Sequence, residues 1–143
     1  MSVGLLLITH QPFGGDLLRI ATSILGALPP GIAAMEVVND VPCDCLLAEA
    51  REHLRHLDTG SGVLVMTDLF GATPANVAVT LLSHEERVQV LAGLNLPMLL
   101  RAWTYCSSDL DTVTEKALQG GRDGVLRCLP RDAPTAHEPM ESA

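Results

Sequence analysis

One histidine and one aspartate each follow an apolar segment of the kind that forms a buried strand. His10 ends the run Val3–His10, and Asp68 comes directly after Gly62–Thr67. An aspartate that accepts a hydrogen bond from one imidazole nitrogen fixes the tautomer of the ring and aims its other nitrogen outward. It also stabilises an imidazolium, which suits a ring that alternates between nucleophile and phosphohistidine. This pair is the first candidate for catalysis, although a purely structural histidine–aspartate hydrogen bond gives the same pattern.

A third group of residues follows the aspartate and has the composition of a helix start. Within Gly71–Asn76, Thr73 suits the N-cap and Pro74 the first helical position, where its missing N–H is harmless. The free N–H groups of a first turn bind anions, and a glycine lets the backbone approach a ligand closely. An ordinary capped helix is the alternative interpretation. The predicted phosphate-binding residues are Gly71, Ala72, Thr73, Ala75 and Asn76.

A covalent phosphoryl group on His10 is the chemistry that combines these three parts. The ring nitrogen attacks, Asp68 orients and stabilises the ring, and the helix N-terminus with Thr73 screens the phosphoryl charge. The sequence has no Walker A loop or kinase signature for a nucleotide. We therefore expect the phosphoryl group to arrive from one protein and to leave to another. A small nucleotide- or metabolite-binding domain is a further alternative, although the G-x-G-x-x-G motif is missing.

Neither a metal nor a cofactor is expected from the sequence. Its four cysteines, which are Cys43, Cys45, Cys106 and Cys128, do not have the spacing of a zinc or redox motif. In a reducing compartment such thiols are more often small buried hydrophobes than ligands.

The candidate residues are positioned by strands that alternate with helices. Apolar runs predict strands at Val3–His10, Ile32–Val38, Gly62–Thr67 and Val88–Ala92, and a last short strand at Gly124–Cys128. Helical spacing predicts helices at Asp16–Gly26, at Asp44–Leu57 with Asp44 as the cap, at Gly71–Ser83, from Asn95 onward, and at Asp109–Gln119. Loops or turns are predicted at Gln11–Gly15 and at Gly120–Asp123.

This alternation indicates an α/β fold, with a doubly wound, mostly parallel four-stranded sheet flanked by helices. In open parallel sheets, ligands gather beyond the carboxyl ends of the strands. If strands one and three are neighbours, their ends bring His10 and Asp68 together at one edge of the sheet. The predicted site then lies at that edge.

Composition limits the class of protein and its partners. The 143 residues make one domain by length, and a formal net charge of −8 argues against nucleic acid or an anionic membrane as partner. No apolar run reaches the roughly 18 residues of a transmembrane helix, and the sequence does not begin with the basic region of a signal peptide. We therefore expect a cytoplasmic protein without membrane insertion. The polar, proline-containing residues 130–143 predict a disordered tail.

Four motifs, in this order, are similar to those of a known family. They are Ile8–His10 after strand one, Thr67–Asn76 after strand three, Ala92–Leu99 after strand four, and Gly121–Val125 near the end. Together they resemble the mannose-family enzyme IIA component of the bacterial phosphoenolpyruvate:sugar phosphotransferase system. The resemblance implies that residues 1–129 form one enzyme IIA phosphocarrier domain.

The resemblance also implies a specific chemistry. His10 would carry an acid-labile phosphohistidine taken from the carrier protein HPr, with Asp68 as its hydrogen-bond partner and Thr73 in the phosphate pocket. The phosphoryl group would then pass to an enzyme IIB-type protein in sugar uptake. The family further implies a homodimer, with a parallel four-stranded sheet and a short antiparallel edge strand that can be exchanged between subunits.

Two other roles for the same domain stay open. One is a regulatory module whose phosphorylation state controls a target without a sugar-transport partner. The other is a dihydroxyacetone kinase phosphotransfer subunit, whose first domain looks similar. The chain departs from many family members at Gln11-Pro12, where they have a glycine directly after the histidine. This difference concerns the shape of the loop and the docking of a partner.

Overall fold

The computed structural model describes residues 2–26, 31–85 and 87–132, in which a parallel sheet carries helices on both faces. The strands are β1 (Gly4–His10), β2 (Ile32–Val37), β3 (Val63–Thr67) and β4 (Val88–Ala92). The helices are α1 (Phe13–Leu25), α2 (Cys43–Leu57), α3 (Thr73–Leu82), α4 (Leu96–Thr104) and α5 (Leu110–Asp123). The strand order is β2-β1-β3-β4 and every pair is parallel, which confirms the predicted fold class.

β1 lies inside the sheet because both of its faces are apolar. Its alternate residues enter opposite cores, with Leu5 and Leu7 in one and Leu6 and Ile8 in the other. The first core is completed by α1, α4 and α5, and the second by α2 and α3. Burial on two sides explains why this strand is a continuous hydrophobic run instead of an alternating pattern.

The register of the central strands sets the position of the site. β1 pairs with β3 so that Ile8 lies opposite Thr67. His10 ends β1, and Asp68 follows the last residue of β3, so the two residues leave adjacent strands at the carboxyl edge of the sheet. The chain continues from β1 toward β2 and from β3 toward β4, in opposite directions across the sheet. The candidate site, His10 with Asp68, therefore lies at the switch point, where open α/β sheets bind their ligands.

α1 begins earlier than predicted, which shortens the preceding loop. The helix starts at Phe13, and both Gly14 and Gly15 belong to its first turn. These glycines have the composition of a loop, but side chains of the sheet accept their N–H groups. Thr9 Oγ1 accepts from Gly14 at 2.7 Å, and Glu36 Oε1 accepts from Gly15 at 3.1 Å. Tertiary contacts of this kind leave no local signal in the sequence.

The prediction that Asp44 caps α2 is wrong. The helix begins at Cys43 after Pro42, and Asp44 lies within its first turn. An acidic side chain in this turn still interacts favourably with the positive end of the helix dipole, which explains its preference for the neighbourhood of a cap.

The predictions for the end of the domain are also wrong in part. Gly120 and Gly121 continue α5 instead of forming a turn. They are required by the close packing of α5 on α4, because a Cβ at Gly120 would lie 2.7 Å from Arg101 Cβ. Residues 124–128 form no strand in the single chain, and Val125 and Leu126 are 77% and 76% exposed. Exchange of this segment between subunits stays a prediction.

The predicted disordered tail falls mostly outside the described residues. Pro130–Asp132 form a short 3-10 turn, and residues 133–143 lie beyond the described part of the chain. Across the three described ranges, the helices are too short or too polar to cross a lipid bilayer.

Candidate active site

His10 and Asp68 form a short hydrogen bond across the ends of β1 and β3. His10 Nδ1 lies 2.7 Å from Asp68 Oδ2, and the backbone N–H of His10 donates to the same oxygen at 3.0 Å. The other carboxylate oxygen accepts the N–H of Leu69 at 2.9 Å. The imidazole is 48% exposed and the carboxylate only 14%. The ring therefore reaches solvent, while the backbone holds its partner in place.

These contacts keep the Asp68 carboxyl ionised. Partial burial by itself raises the pKa of Asp68, but hydrogen bonds from the backbone and ring of His10, the charge of that ring and the N–H of Leu69 outweigh it. The pKa of Asp68 consequently lies below its ordinary value. Hydrogen bonds to a carboxylate favour its charged form, which is the physical cause of the net direction.

The charge of Asp68 determines the tautomer of His10. An ionised carboxylate can only accept hydrogen bonds, so Nδ1 of His10 carries the proton in the 2.7 Å contact. In the neutral ring, Nε2 then keeps its lone pair, and it lies on the side of the ring away from Asp68. The pair can therefore present a nucleophilic nitrogen and stabilise the positive charge that attack would create.

The N-terminus of α3 lies at the same edge of the sheet, a few residues after Asp68. The N-cap is Ala72 and not Thr73, and the prediction of a threonine cap is therefore wrong. Thr73 is the first helical residue, and its exposed side chain makes no capping hydrogen bond. Pro74 is therefore the second helical residue and not the first, and the helix begins one residue earlier than the sequence suggests.

The predicted phosphate-binding residues differ in what they can offer to a ligand. The side chains of Thr73 and Asn76 are exposed, whereas Ala75 is 1% exposed and can contribute only its N–H. The N–H of Asn76 already donates to the Ala72 carbonyl at 2.9 Å, and those of Thr73 and Ala75 precede the first intrahelical bond. Gly71 has a φ of 92°, a conformation that favours glycine.

The surroundings of the histidine combine a shallow cavity with exposed apolar side chains. The cavity, about 310 Å³ in volume, is lined by His10, Gln11, Val37, Val38 and Asn39. Directly after Asp68 in the chain, Leu69 and Phe70 are 61% and 78% exposed. Large apolar side chains that are exposed together commonly mark a surface that contacts another protein.

The described ranges hold no group of three or more histidine, cysteine, aspartate or glutamate side chains that could ligate a metal. Cys43, Cys45, Cys106 and Cys128 are free thiols, and three of them are exposed instead of buried. The expectation that the cysteines are buried hydrophobes is therefore wrong for Cys43, Cys45 and Cys128.

Sequence reasoning missed two residues that support the histidine. Thr9 and Glu36 hold the first turn of α1, which follows His10 in the chain. The one available signal is the pair Gly14-Gly15, which allows a close approach between a helix start and neighbouring side chains. Its partners come from two strands, and no local pattern identifies them.

Comparison with known proteins gives consistent matches over most of the chain. The family model described as the PTS system fructose IIA component, EIIA-man, matches residues 4–118. The mannose-specific EIIAB component of Escherichia coli (strain K12) is 27% identical over 157 residues, covering 98% of this chain and 48% of that protein. The chain thus spans about half the length of the mannose-specific relatives that it matches. The fructose-specific EIIA component of Bacillus subtilis (strain 168) is 45% identical over 38 residues, or 27% of this chain and 26% of that protein.

Solved structures share the same fold. The mannose/sorbose specific IIA subunit from Enterococcus faecalis has a TM-score of 0.81 at 24% identity, covering 94% of this chain and 98% of that one. Phosphotransferase system component EIIA from Streptococcus agalactiae has a TM-score of 0.77 at 22% identity, covering 87% and 96% respectively. At these identities the likeness concerns the architecture of the sheet and its helices.

Proposed function

Because this chain belongs to the mannose family of phosphotransferase system IIA components, we propose that it carries a phosphoryl group on His10. The family makes it a transferase in general terms. One observation supports the assignment to His10 more than any other. The 2.7 Å contact to Asp68 holds the proton on Nδ1 and leaves Nε2 free to attack phosphorus.

In the proposed reaction, phosphorylated HPr presents its phosphoryl group to Nε2 of His10. The lone pair of Nε2 forms the new bond to phosphorus while the bond to the donor breaks on the opposite side. No proton leaves the ring, because Nδ1 keeps its proton in the hydrogen bond to Asp68. The ring becomes positively charged, and the ionised carboxylate stabilises that charge. The same geometry, run in reverse, passes the phosphoryl group to an enzyme IIB-type acceptor.

We propose the start of α3 as the element that binds the phosphoryl oxygens. Its positive dipole end favours an anion, and its first turn offers free N–H groups. The donors would be the N–H and hydroxyl of Thr73, the N–H of Ala75 and the side-chain amide of Asn76. Gly71 and Ala72 would shape the backbone that approaches the phosphate.

The partners of the proposed reaction are proteins and not small molecules. The exposed Leu69 and Phe70, which follow Asp68 in the chain, would offer an apolar contact surface to a carrier such as HPr. The protein would work in the cytoplasm with HPr and an enzyme IIB-type protein, and would not insert into the membrane. Sugar uptake is the proposed end of this relay.

We also propose that the protein is a homodimer. The apolar side chains of Val125 and Leu126 are more than three quarters exposed in the single chain, at 77% and 76%. Two strands of the described sheet, β2 and β4, have a free edge. Pairing of residues 124–128 with an edge strand of a second copy would cover both features and form the antiparallel strand of the dimer.

Labelling distinguishes this proposal from a structural histidine–aspartate pair. The protein is incubated with enzyme I, HPr and phosphoenolpyruvate labelled in its phosphate, and acid-labile label on the chain is measured. We expect label on the wild type and none on a folded His10→Ala variant. His56→Ala is the matched control, since His56 Nε2 also lies 3.0 Å from a carboxylate, that of Glu52, on the exposed face of α2. Label that persists in His10→Ala refutes the assignment, and transfer of label to an enzyme IIB-type protein tests the second step.

A further inference from the structure

α1 starts without a capping side chain of its own, although it begins only three residues after His10. Its N-cap residue is Pro12, which makes no side-chain hydrogen bond. Two side chains of the sheet take over this role. Thr9 Oγ1 accepts the N–H of Gly14 at 2.7 Å, and Glu36 Oε1 accepts the N–H of Gly15 at 3.1 Å. Two first-turn donors of α1 are therefore satisfied from β1 and β2.

Thr9 connects this turn to the histidine itself. Its hydroxyl donates to the carbonyl of His10 at 3.0 Å while it accepts from Gly14, and the residue is fully buried. Thr9 and Glu36 are partners in the register of β1 and β2, so the two acceptors lie side by side under the helix. A buried hydroxyl that uses both its donor and its acceptor capacity holds both neighbours in a defined position.

The two glycines show how closely the helix approaches these side chains. A Cβ at Gly14 would lie 2.8 Å from Thr9 Oγ1, and a Cβ at Gly15 would overlap Glu36 Oε1. Neither glycine has a positive φ. The lack of a side chain at these two positions therefore lets the first turn of α1 come close to its two acceptors. The backbone conformation itself does not require glycine there.

Two helix N-termini thus lie near the histidine, and only one of them is open. The α1 terminus is occupied by Thr9 and by the carboxylate of Glu36, whereas the α3 terminus has no capping side chain. We infer that Thr9 and Glu36 are positioning residues, which hold the backbone of His10 against α1 and close that helix to the phosphoryl group. The group is then directed to the start of α3. This inference rests on the proposed function of His10.

A pair of variants at Thr9 tests the inference. Thr9→Val removes the acceptor and the donor at nearly constant volume, and Thr9→Ser keeps both. We expect Thr9→Val to lower kcat for phosphoryl transfer from phosphorylated HPr by about tenfold or more through misplacement of the ring. KM for the carrier should change little, because Thr9 is buried and cannot touch it. Thr9→Ser should stay within about twofold of the wild type.

Glu36 gives a second and independent pair of variants at a partly exposed position. Glu36→Gln keeps an acceptor oxygen, whereas Glu36→Leu removes it. We expect amide hydrogen exchange at Gly15 to rise in Glu36→Leu and at Gly14 in Thr9→Val, and to stay close to wild type in Glu36→Gln and Thr9→Ser. This measurement needs no phosphoryl donor, and it can be made on any variant that folds.

The outcomes separate the inference from the function on which it rests. Three results would overturn the positioning role while the phosphocarrier function stands. They are an unchanged kcat in folded Thr9→Val, a loss of kcat in Thr9→Ser equal to that in Thr9→Val, and unchanged amide exchange at Gly14 and Gly15 in the variants that remove their acceptors. Failure of the wild type to accept label from HPr would instead refute the proposed function. If Thr9→Val does not fold, the comparison of Glu36→Leu with Glu36→Gln decides the inference by the same criteria.

Discussion

A single oxygen atom gives His10 its proposed reactivity. Asp68 Oδ2 accepts both the backbone N–H and the ring N–H of His10, so the ring cannot rotate without losing a bond to an ionised group. Charge-assisted hydrogen bonds of this kind are short and comparatively strong. The orientation of the proposed nucleophile is thus set before any partner arrives. Such preorganisation suits a carrier that must both accept and release a phosphoryl group.

Removal of the carboxylate should therefore slow transfer without abolishing it. We expect Asp68→Ala to reduce the rate of phosphorylation by HPr by about a hundredfold, in the range typical of orienting and acid–base residues. Rapid-quench measurement of labelled protein gives this rate. Asp16→Ala is the control, because Asp16 is a partly exposed aspartate on α1 that pairs with Arg19 and makes no contact with His10 among the hydrogen bonds and ion pairs of the described residues. Equal rates for Asp68→Ala and the control would remove Asp68 from the site.

The lowered pKa of Asp68 makes a prediction about pH. Because the folded-state pKa lies below the unfolded value of about 3.9, ionised Asp68 contributes stability above that value, and the contribution is lost as pH falls through the folded-state pKa. The wild type should exceed Asp68→Asn in free energy of unfolding at pH 7, and the difference should shrink below about pH 4. Urea unfolding across this range measures it. A difference that grows as the pH falls would contradict the assignment.

Among the elements of the fold, two threonines near the carboxyl ends of β1 and β3 have different hydrogen-bonding environments. Thr9 and Thr67 are both fully buried next to the site. The hydroxyl of Thr9 makes two hydrogen bonds, whereas Thr67 Oγ1 has no hydrogen-bond partner among the described residues. A buried polar atom without a partner costs free energy, and a satisfied one does not.

Valine at these two positions should consequently have opposite effects on stability. Thr67→Val should raise the free energy of unfolding by about 1 kcal/mol, because it removes an unsatisfied hydroxyl. Thr9→Val should lower it by about 1–3 kcal/mol, because the N–H of Gly14 is left buried and unpaired. Chemical denaturation of both variants at neutral pH gives the two values. The same sign for both would show that volume, and not hydrogen bonding, controls these positions.

The sequence predicts the strands better than the ends of the helices, and the reason is physical. A strand buried on both faces, such as β1, is a continuous apolar run that needs no knowledge of its neighbours. The start of α1 and the end of α5 depend on glycines whose role is close packing, against Thr9 and Glu36 in one case and α4 in the other. From local propensity alone, such glycines predict loops or turns.

The residues of the candidate site also differ in how well the sequence predicts them, depending on whether their placement requires knowledge of tertiary contacts. His10 and Asp68 can be predicted because parallel topology brings the ends of β1 and β3 to one edge. Local propensity puts the cap of α3 one residue too late, at Thr73, since the alanine that is the N-cap has no favourable propensity for that position. Thr9 and Glu36 could not be found, because their partners are backbone groups of a helix that the sequence does not place there.

At the scale of the whole molecule, the described chain leaves apolar side chains exposed where the proposed dimer would cover them. The C-terminal segment with Val125 and Leu126 runs outside the sheet and joins no strand. Burial of such side chains contributes about 25 cal/mol for each Å² of apolar surface removed from water. In the proposed exchange, a second copy of the chain would cover these exposed side chains.

Charge placed in this segment should prevent the proposed dimer from forming. We expect the wild type to sediment at twice the mass of the 15.2 kDa chain, and the double variant Val125→Asp, Leu126→Asp to sediment as a monomer. Val79→Asp is the control, since Val79 is an exposed valine on α3, outside the segment. A monomeric wild type at micromolar concentration, or a dimeric double variant, would contradict the exchange.

Identifying the phosphorylated atom tests directly whether His10 carries the phosphoryl group on Nε2. The protein is labelled with ¹⁵N in its histidines, phosphorylated by enzyme I, HPr and phosphoenolpyruvate, and its ring nitrogens are observed by long-range ¹H–¹⁵N NMR. We expect phosphorus to be bound to Nε2 of His10 and Nδ1 to keep its proton toward Asp68. A phosphoryl group on Nδ1, or on any other histidine, would contradict it.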